Sequence, residues 1–186
     1  LLLSAGAGTK PLLGPLGKWL RPKRVPVHWV APIQAHPFKL GIWPVNFWQL
    51  PMEDQPGVYH ERYALPVTRP HGRVKVAAHN QLEDCDPLRV ARNVAPEELT
   101  DIRSFMATYI PSLAAGDIRS DVCLYTMTPD GDFVLGALSG QSNVFTTALA
   151  GHGFKFAPVL GEIMADMLEE KAPAIDVSRF SPDRLD

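Results

Sequence analysis

The stretch from Cys123 to Leu168 decides the fold: it begins CLYTMTPDGDFVL, continues after a polar turn with VFTTALA, and then runs GHGFKF into an apolar helix pattern. Aromatic and β-branched residues favour strands, and Pro129-Asp130-Gly131 and Gly140–Asn143 are typical of turns. The pattern therefore predicts three extended segments, which are Cys123–Met127, Phe133–Leu135 and Val144–Leu149.

Gly151, His152 and Gly153 predict a sharp turn into a helix that starts near Lys155. Apolar residues then recur at steps of three and four, which indicates one buried helix face: Phe156, Val159, Leu160, Ile163, Met164, Met167 and Leu168. Outward backbone N–H groups and the positive end of a helix dipole favour an anion or an electron-rich carbonyl at such a turn. An ordinary strand-to-helix connection with a solvated lysine explains the pattern equally well from physics alone.

The motifs CLYTMTPD at residues 123–130 and GHGFKF at residues 151–156 resemble the C-terminal half of the monomeric sarcosine oxidase and N-methyltryptophan oxidase family. The resemblance extends more weakly back to residue 1, but the family's N-terminal nucleotide-binding half is missing from this sequence. It implies FAD as the cofactor, tethered by a thioether through Cys123 and not through Cys85. It also implies a set of cofactor-binding residues: Gly151, His152, Gly153, Phe154 and Lys155.

The same resemblance implies roles for four polar residues. Lys75 matches the lysine that promotes reaction with oxygen, His79 matches an active-site histidine, and Tyr63 aligns with a substrate-cavity tyrosine across a one-residue gap. Lys155 would face the carboxylate of an N-methyl amino acid. Without the resemblance, Lys75 and His79 are two basic residues on one face of a strand, where most such side chains are simply solvated.

Two departures from the family pattern bear on the substrate. Gly136 stands where many relatives have an acidic residue, and Ala150 stands where many have serine. Neither change removes the tether or the lysines. Both leave the identity of the amine open.

Composition excludes several classes of protein. A hydrophobic content of 46% with a net charge of -2 is typical of a soluble globular protein and lacks the basic excess of a nucleic-acid binder. The apolar runs are too short to cross a membrane. Two cysteines without a CxxC pair, and six histidines without ligand spacing, predict neither a disulfide framework nor a metal site. A cytoplasmic location is the default expectation.

The chain begins in an apolar, strand-like run without Met, which favours a piece of a longer protein. Gly6-Ala7-Gly8 suggests a dinucleotide fingerprint, but Pro11 stands where a third glycine is needed. We predict an α+β fold: an antiparallel or mixed substrate-domain sheet flanked by segments of a glutathione-reductase-like FAD-binding domain. The predicted segments are 1–24 (FAD-binding), 25–120 (substrate domain), 121–172 (FAD-binding, with the flavin-contacting turn) and 173–186 (C-terminal strap).

Short extended runs separated by Pro, Gly and Asp predict the substrate-domain strands Val25–Val30, Phe47–Leu50, Gly57–Tyr63 and Arg73–His79. A short helix is expected within Pro11–Trp19, a polar connection over Gln81–Val94, and a scaffold helix from Pro96 to Pro111. The scaffold helix should bury Leu99, Ile102, Phe105, Met106, Tyr109 and Ile110. Four large aromatic residues are expected to pack in the core on one sheet face, with stacking on a substrate as the alternative: Trp29, Trp43, Phe47 and Trp48.

Three functions remain open at this stage. The leading one is the C-terminal portion of a flavin-dependent oxidase that converts a secondary amine to an imine and O2 to hydrogen peroxide. The second is a flavin dehydrogenase of the same fold that uses another electron acceptor. The third is a non-catalytic fragment or subunit that needs a separate FAD-binding chain. We expect this chain alone to be inactive, because it has no motif for the adenine half of FAD.

Overall fold

The computed structural model describes residues 1–68, 72–80 and 82–185. Gln81, where the polar connection was expected to begin, and Asp186, the end of the expected C-terminal strap, lie outside the described residues. The chain divides into two compact units, each described here by itself. Unit 1 comprises Leu1–Lys23, Asp84–Val90 and Leu124–Asp186, and unit 2 comprises Arg24–Glu83 and Ala91–Cys123.

Strands and helices alternate irregularly along the chain, with several strands paired antiparallel, which confirms the predicted α+β class. The strands are β1 (Leu2–Leu3), β2 (Arg21–Ala31), β3 (Asn46–Pro51), β4 (Tyr59–Thr68), β5 (Arg73–Ala78), β6 (Glu83–Asp84), β7 (Asp117–Met127), β8 (Val134–Leu138) and β9 (Gln141–Ala148). The α-helices are α1 (Thr9–Leu13), α2 (Pro96–Tyr109), α3 (Pro111–Ala114) and α4 (Ala157–Leu168).

The larger sheet has the strand order β3-β4-β5-β2-β6, and β7 also pairs with β2. Its central strands are antiparallel, with Trp29 opposite Lys75 and Arg62 opposite Ala78. Side chains alternate between the two faces of a strand. Val74 and Val76 are therefore fully buried on one face, while Lys75 between them lies on the other.

Helix α2 covers the face of Val74 and Val76. The helix begins at Pro96, which needs no N–H partner at this position, and its first turn contains Glu97 and Glu98. The Glu98 carboxylate accepts the Ala95 N–H at 2.7 Å and forms an ion pair with Arg24. A negative charge at a helix N-terminus is favourable, so this pair fixes the start of α2.

The core of unit 2 forms where α2 packs on the sheet. It consists of ten buried residues: Val30, Phe38, Ala64, Val74, Val76, Ile102, Phe105, Met106, Ile110 and Leu113. Of the six residues predicted on the helical face, Leu99 is only half-buried and lies outside this cluster, and Tyr109 is 45% exposed. Tyr109 is the last residue of the helix, where the chain turns toward Pro111.

The four aromatic residues expected in the core divide between the two faces of the sheet. The Trp48 ring lies 5.2 Å from that of Phe105, and Trp43 packs against the same cluster. Phe47 is 52% exposed, so the prediction was wrong for this residue. Phe47 is adjacent to Trp48 in β3, and strand alternation sends it to the opposite face.

In unit 1, β8 and β9 form an antiparallel hairpin and β1 pairs parallel with β9. Helix α4 buries Leu160, Ile163 and Met164 against Leu135 of β8. Phe156 and Leu168 were predicted on this buried face but are 39% and 42% exposed. Phe156 precedes the α-helix and Leu168 ends it, so neither has a full turn of helix on both sides.

A second cluster in unit 1 surrounds the first helix. The expected helix within Pro11–Trp19 is shorter and earlier, at Thr9–Leu13, because Gly14 has a φ of 54° and ends it. A 3-10 turn over Gly14–Gly17 follows. Six buried residues form the cluster: Leu13, Trp19, Leu20, Val134, Leu138 and Ala148.

The C-terminal residues are held to the rest of unit 1 by ion pairs. Arg184 bonds Asp130 at 2.7 Å and holds the pKa of that carboxyl to about 2, while Arg179 bonds Asp132 at 2.7 Å. Gly136, a departure from the family pattern, has a φ of 144°, and a Cβ there would lie 3.1 Å from Pro182. Packing of this terminal segment therefore favours glycine at position 136.

Within residues 1–68, 72–80 and 82–185, no helix has the length and apolar character needed to cross a bilayer. The same residues contain no group of three His, Cys, Asp or Glu side chains that could hold a metal ion.

His28 is a buried titratable group on the helix-covered face of unit 2. It is 3% exposed, and its Nδ1 lies 2.9 Å from Ser120 Oγ. Burial lowers its pKa to about 4; the negative charges of Glu98 and Asp101 oppose this shift, and the positive charge of Arg62 adds to it.

We expect the free energy of unfolding to decrease as the pH falls from 6.5 toward 4, because His28 is protonated in the unfolded chain but not in the folded one. The unfolded histidine takes up a proton below its ordinary pKa, but the folded one does not until about pH 4. From pH 7.5 to pH 5 this costs about 2 kcal/mol of the free energy of unfolding.

Urea unfolding at both pH values measures this effect. His28→Gln should lose about 2 kcal/mol less than the wild type over this interval. His36→Gln, at an exposed histidine of the same unit, is the control and should match the wild type. An identical pH dependence in the His28 variant would contradict the assignment.

Candidate active site

Lys75 lies between two aromatic rings on the face of the sheet away from α2. Its Nζ is 5.5 Å from the ring centroid of Trp29 and 5.5 Å from that of Tyr63. Both rings are within cation–π range, which contributes roughly 0.5–1 kcal/mol per contact at partly exposed sites. Among residues 1–68, 72–80 and 82–185, Lys75 has no carboxylate partner.

The strand register brings these residues together. Trp29 of β2 is directly opposite Lys75 of β5, and Tyr63 of β4 is opposite Ala77, two residues further along β5. Residues at i and i+2 of a strand share a face, so the Tyr63 ring lies beside the Lys75 side chain. The lysine cation is therefore held by the sheet on both sides.

His79 completes this aromatic group. Strand β5 ends at Ala78, one residue earlier than predicted, but the His79 N–H still donates to Glu61 O at 2.8 Å. Its ring centroid lies 5.5 Å from that of Phe47 and 6.3 Å from that of Tyr63. The structure thus adds Tyr63 to Lys75 and His79, the two residues predicted on one face of the strand, and Tyr63 contacts both.

Trp29 and Phe47 also belong to this group, although sequence reasoning assigned both to the core. The signal that could have found them is parity along the strands. Trp29 precedes the buried Val30, and Phe47 precedes the core-packed Trp48, so each points away from α2. We call Trp29, Phe47, Tyr63, Lys75 and His79 the aromatic–lysine face.

In unit 1 the GHGFKF motif forms a tight turn after β9. Ala150 and Gly151 have φ angles of 45° and 77°, and the His152 N–H donates to Leu149 O at 3.0 Å. A Cβ on Gly151 would lie 2.6 Å from the Tyr125 ring. A Cβ on Gly153 would lie 2.1 Å from Leu149 Cβ. Close packing therefore requires both glycines of the motif.

The turn leads into a 3-10 segment over Gly153–Phe156, and the α-helix begins only at Ala157. The sequence predicted Lys155 in the first turn of an α-helix, but the structure places it before the helix begins. Pro158 at the second α-helical position needs no N–H partner, which explains the later start.

The turn combines backbone N–H groups that lack a backbone acceptor with exposed side chains, although Gly153 itself is buried. The N–H groups of Gly151, Gly153 and Phe154 have no backbone acceptor among the described residues of unit 1. The Phe154 side chain is 93% exposed. Lys155 Nζ donates to His152 O at 2.9 Å and lies 5.1 Å from the Phe156 ring.

His152 and Phe133 pack against each other beside this turn, with ring centroids 5.1 Å apart. The His152 ring is exposed, and its backbone oxygen accepts the Lys155 ammonium. Through these contacts His152 ties the turn to the residues that precede β8.

Cys123 has an exposed side chain in the interior of β7. The sequence predicted it at the beginning of a strand, but β7 starts at Asp117. Polar residues over Asp117–Asp121 concealed the strand, because they lack the apolar alternation of a half-buried strand. Cys85 is half-buried, and neither it nor Cys123 forms a disulfide bond.

The Gly151→Ala substitution should destabilise unit 1 because it combines an unfavourable φ with a clash against Tyr125. Gly140→Ala is the matched control: its φ is 71°, but nothing lies within 4 Å of its added Cβ. We expect Gly140→Ala to cost about 1 kcal/mol and Gly151→Ala about 1–3 kcal/mol more. Thermal or urea unfolding measures both; equal costs would contradict the packing argument.

Comparison with known proteins identifies the family. Residues 1–167 match the sequence profile described as "DAO: FAD dependent oxidoreductase". Monomeric sarcosine oxidase from Streptomyces avermitilis is 32% identical over 100% of this chain and 48% of its own length. N-methyl-L-tryptophan oxidase from Salmonella arizonae is 32% identical over 99% of this chain and 47% of its own length.

Solved structures share the fold at lower identity. Fructosyl amine: oxygen oxidoreductase (Amadoriase I) from Aspergillus fumigatus superposes with a TM-score of 0.75 at 20% identity, over 98% of this chain and 42% of that one. NikD, an amino acid oxidase essential for nikkomycin biosynthesis, gives a TM-score of 0.74 at 20% identity. The match covers 97% of this chain and 47% of the NikD chain. The chain spans about half the length of the relatives it matches, and it belongs to the family of FAD-dependent oxidoreductases that the DAO profile describes.

Proposed function

We propose that this chain is the C-terminal half of a flavin-dependent oxidase that converts an N-methyl amino acid or a related secondary amine to an imine. Molecular oxygen is the electron acceptor and hydrogen peroxide the second product. The observation that carries the proposal is the aromatic–lysine face, where Lys75 is held between Trp29 and Tyr63. The similarity to sarcosine and N-methyltryptophan oxidases supports the choice of substrate class.

The two units take different parts in this proposal. Unit 2, with its antiparallel sheet and α2, is assigned to the substrate domain predicted over 25–120. Unit 1 is assigned to the FAD-binding domain. It contains residues 1–23 of the segment predicted over 1–24 and residues 124–172 of the segment predicted over 121–172. Residues 84–90, which fall within the predicted substrate domain, cluster with unit 1. The remaining part of the cofactor site is expected from the N-terminal half of the relatives.

The residues around the GHGFKF turn suit the binding of a flavin. The N–H groups of Gly151, Gly153 and Phe154 can donate to the carbonyl and ring-nitrogen edge of an isoalloxazine ring, which gains negative charge on reduction. Lys155 adds a cation to the same turn. An exposed thiol such as that of Cys123 is accessible for a thioether tether. FAD, when bound, supplies the two-electron oxidation of the amine.

Lys155 is proposed to bind the substrate carboxylate. Its ammonium now donates to a neutral backbone oxygen, that of His152, and an exposed lysine can rotate toward a carboxylate at little cost. His152 is proposed to orient the turn by its contacts with Lys155 and Phe133 and is not assigned the role of a base.

The aromatic–lysine face is proposed to serve the reacting groups. Tyr63 and His79 are placed together and would line the substrate cavity. Lys75 would stabilise negative charge on oxygen as it is reduced. The Trp29 and Tyr63 rings hold the ammonium in place without neutralising it, as a carboxylate would.

Lys75→Met should slow the reaction of the reduced enzyme with oxygen by about 10²-fold, because an electrostatic group that acts on the reacting atoms typically contributes that much. The measurement is stopped-flow reoxidation, with the protein expressed from its complete reading frame. Reduction by the amine should change much less. Lys39→Met, at an exposed lysine of the same unit, is the matched control and should behave as the wild type.

An unchanged oxygen rate in Lys75→Met would remove the proposed role of Lys75. Rapid reduction by amines, with negligible peroxide formation in the wild type, would instead favour a dehydrogenase that uses another acceptor. Absence of bound flavin in the complete protein would contradict both enzymatic functions.

A further inference from the structure

Phe133 connects the GHGFKF turn of unit 1 to the C-terminal segment, residues 177–185. It is half-buried and lies immediately before β8. Its ring centroid is 5.1 Å from that of His152 and 5.6 Å from that of Phe156, and both of these residues belong to the GHGFKF motif. The ring of Phe180, from the C-terminal segment, lies 5.9 Å away. Aromatic pairs at such separations stabilise a structure beyond the area they bury, so Phe133 is a contact shared by the turn and the C-terminal segment.

Phe180 is held in place by its own segment. It ends a 3-10 turn, and its N–H donates to Val177 O at 2.8 Å. Both Val177 and Phe180 pack against the cluster that α4 forms with β8. Pro182, two residues later, is buried against β8. The Phe180 ring therefore reaches Phe133 from a backbone that is fixed before and after it.

Two arginines of the same segment hold the residues that precede Phe133. Arg184 donates to both carboxylate oxygens of Asp130, at 2.7 and 3.1 Å, and to Asp132 O at 3.3 Å. Arg179 donates to the Asp132 carboxylate at 2.7 and 2.9 Å. The Arg179 side chain is 75% exposed and that of Arg184 only 20%, so water weakens the Arg179 pair more. The C-terminal segment thus contacts both the ring of Phe133 and the backbone that carries it.

Most side chains of the GHGFKF turn are exposed, including those of His152, Phe154 and Lys155. A loop with few buried contacts opens locally at low cost in free energy, so a contact at each of its ends largely determines how long its backbone keeps one conformation. The Phe133 ring supplies such contacts at His152 and at Phe156. These two residues stand on either side of Phe154 and Lys155 in the chain.

We propose that the C-terminal segment positions the GHGFKF turn through Phe133. Phe180 holds the Phe133 ring against the two ends of the turn, and Arg184 fixes the backbone from which that ring extends. Both are positioning residues, because they act on the turn through Phe133. The inference rests on the proposed function in that the turn is the part proposed to bind the flavin and the substrate carboxylate. The positioning itself is a property of the polypeptide and can be measured without a flavin.

Hydrogen exchange, followed by mass spectrometry on the protein expressed from its complete reading frame, measures opening of the turn. The N–H groups of His152 and Ala157 report it, because both donate to backbone oxygens nearby. Phe180→Leu keeps apolar bulk against α4 but loses a ring contact, so these amides should exchange about 5-fold faster. Amides of residues 163–167 in α4 should exchange at the wild-type rate.

Val177→Ala is the matched control, because Val177 packs on the same cluster but has no aromatic ring. We expect it to speed exchange in α4 at least as much as in the turn. The opposite selectivity of the two variants separates positioning of the turn from general stabilisation of unit 1. Equal acceleration of the turn and of α4 in Phe180→Leu, or no acceleration of the turn, would overturn the proposal.

A double variant tests whether Phe180 acts through Phe133. Phe133→Leu alone should speed exchange of the turn. Adding Phe180→Leu should then change the rate little further, since the contact that the two rings share is already lost. Fully additive effects of the two substitutions would overturn this route.

Arg184→Met tests the ion-paired part of the segment. It removes the bonds to the residues before Phe133 and should speed exchange of the turn about 3-fold. Arg89→Met, at an exposed arginine of unit 1, is the control and should match the wild type. An unchanged rate in Arg184→Met would remove Arg184 from the positioning element.

The flavin-loaded protein provides a second readout. With the turn less well positioned, Lys155 should be in place for the substrate carboxylate less often, so Phe180→Leu should raise KM for the amine about 3-fold. The rate of reoxidation by oxygen, assigned to Lys75, should not change. Absence of bound flavin in the wild type would contradict the proposed function but leave the exchange result valid. Bound flavin, with both KM and exchange unaltered in Phe180→Leu, would overturn the inference alone.

Discussion

The structure of unit 2 depends on one constraint, the alternation of side chains along β5. Val74 and Val76 must face α2, because their burial with Ile102 and Met106 forms the core. Lys75 is then forced to the opposite face, where Trp29 and Tyr63 hold its ammonium. The packing that stabilises the sheet thus also orients the residue proposed to act on oxygen, and a one-residue slip of the strand would bury the lysine and expose the core.

A different constraint governs the GHGFKF turn of unit 1. Gly151 is needed because its φ is 77° and the Tyr125 ring occupies the space of a Cβ, and Gly153 is needed because Leu149 does the same. These glycines are explained by the protein's own packing, without reference to a ligand. The turn also has two exposed side chains, Phe154 and Lys155, beside N–H groups without a backbone acceptor among the described residues of unit 1. These are the groups proposed to bind the flavin and the substrate carboxylate.

Sequence reasoning found the elements whose signal is local. The alternation around Lys75 and the prolines that bound α2 predicted both elements and one shared face for Lys75 and His79. Tyr63, which entered only through the family resemblance, lies beside both of them. It missed the position of Trp29 and Phe47, because an aromatic residue suits either face of a sheet. Only the register with the neighbouring strands decides which face the side chain occupies. It also missed the early part of β7, whose residues are polar. The ring contacts of Phe133 with His152 and Phe180 could not be found, since no local pattern links three separate segments of the chain.

Attachment of a flavin through Cys123 is the most direct consequence of the proposed function. The intact mass of the complete protein, followed by a peptide map, tests it. We predict a mass increment equal to FAD less the two hydrogen atoms lost when the thioether forms. The increment should be located on the peptide that contains Cys123, lost in Cys123→Ser and retained in Cys85→Ser. A mass equal to that of the polypeptide alone, or flavin located on the peptide that contains Cys85, would contradict the tether and the placement of the flavin site.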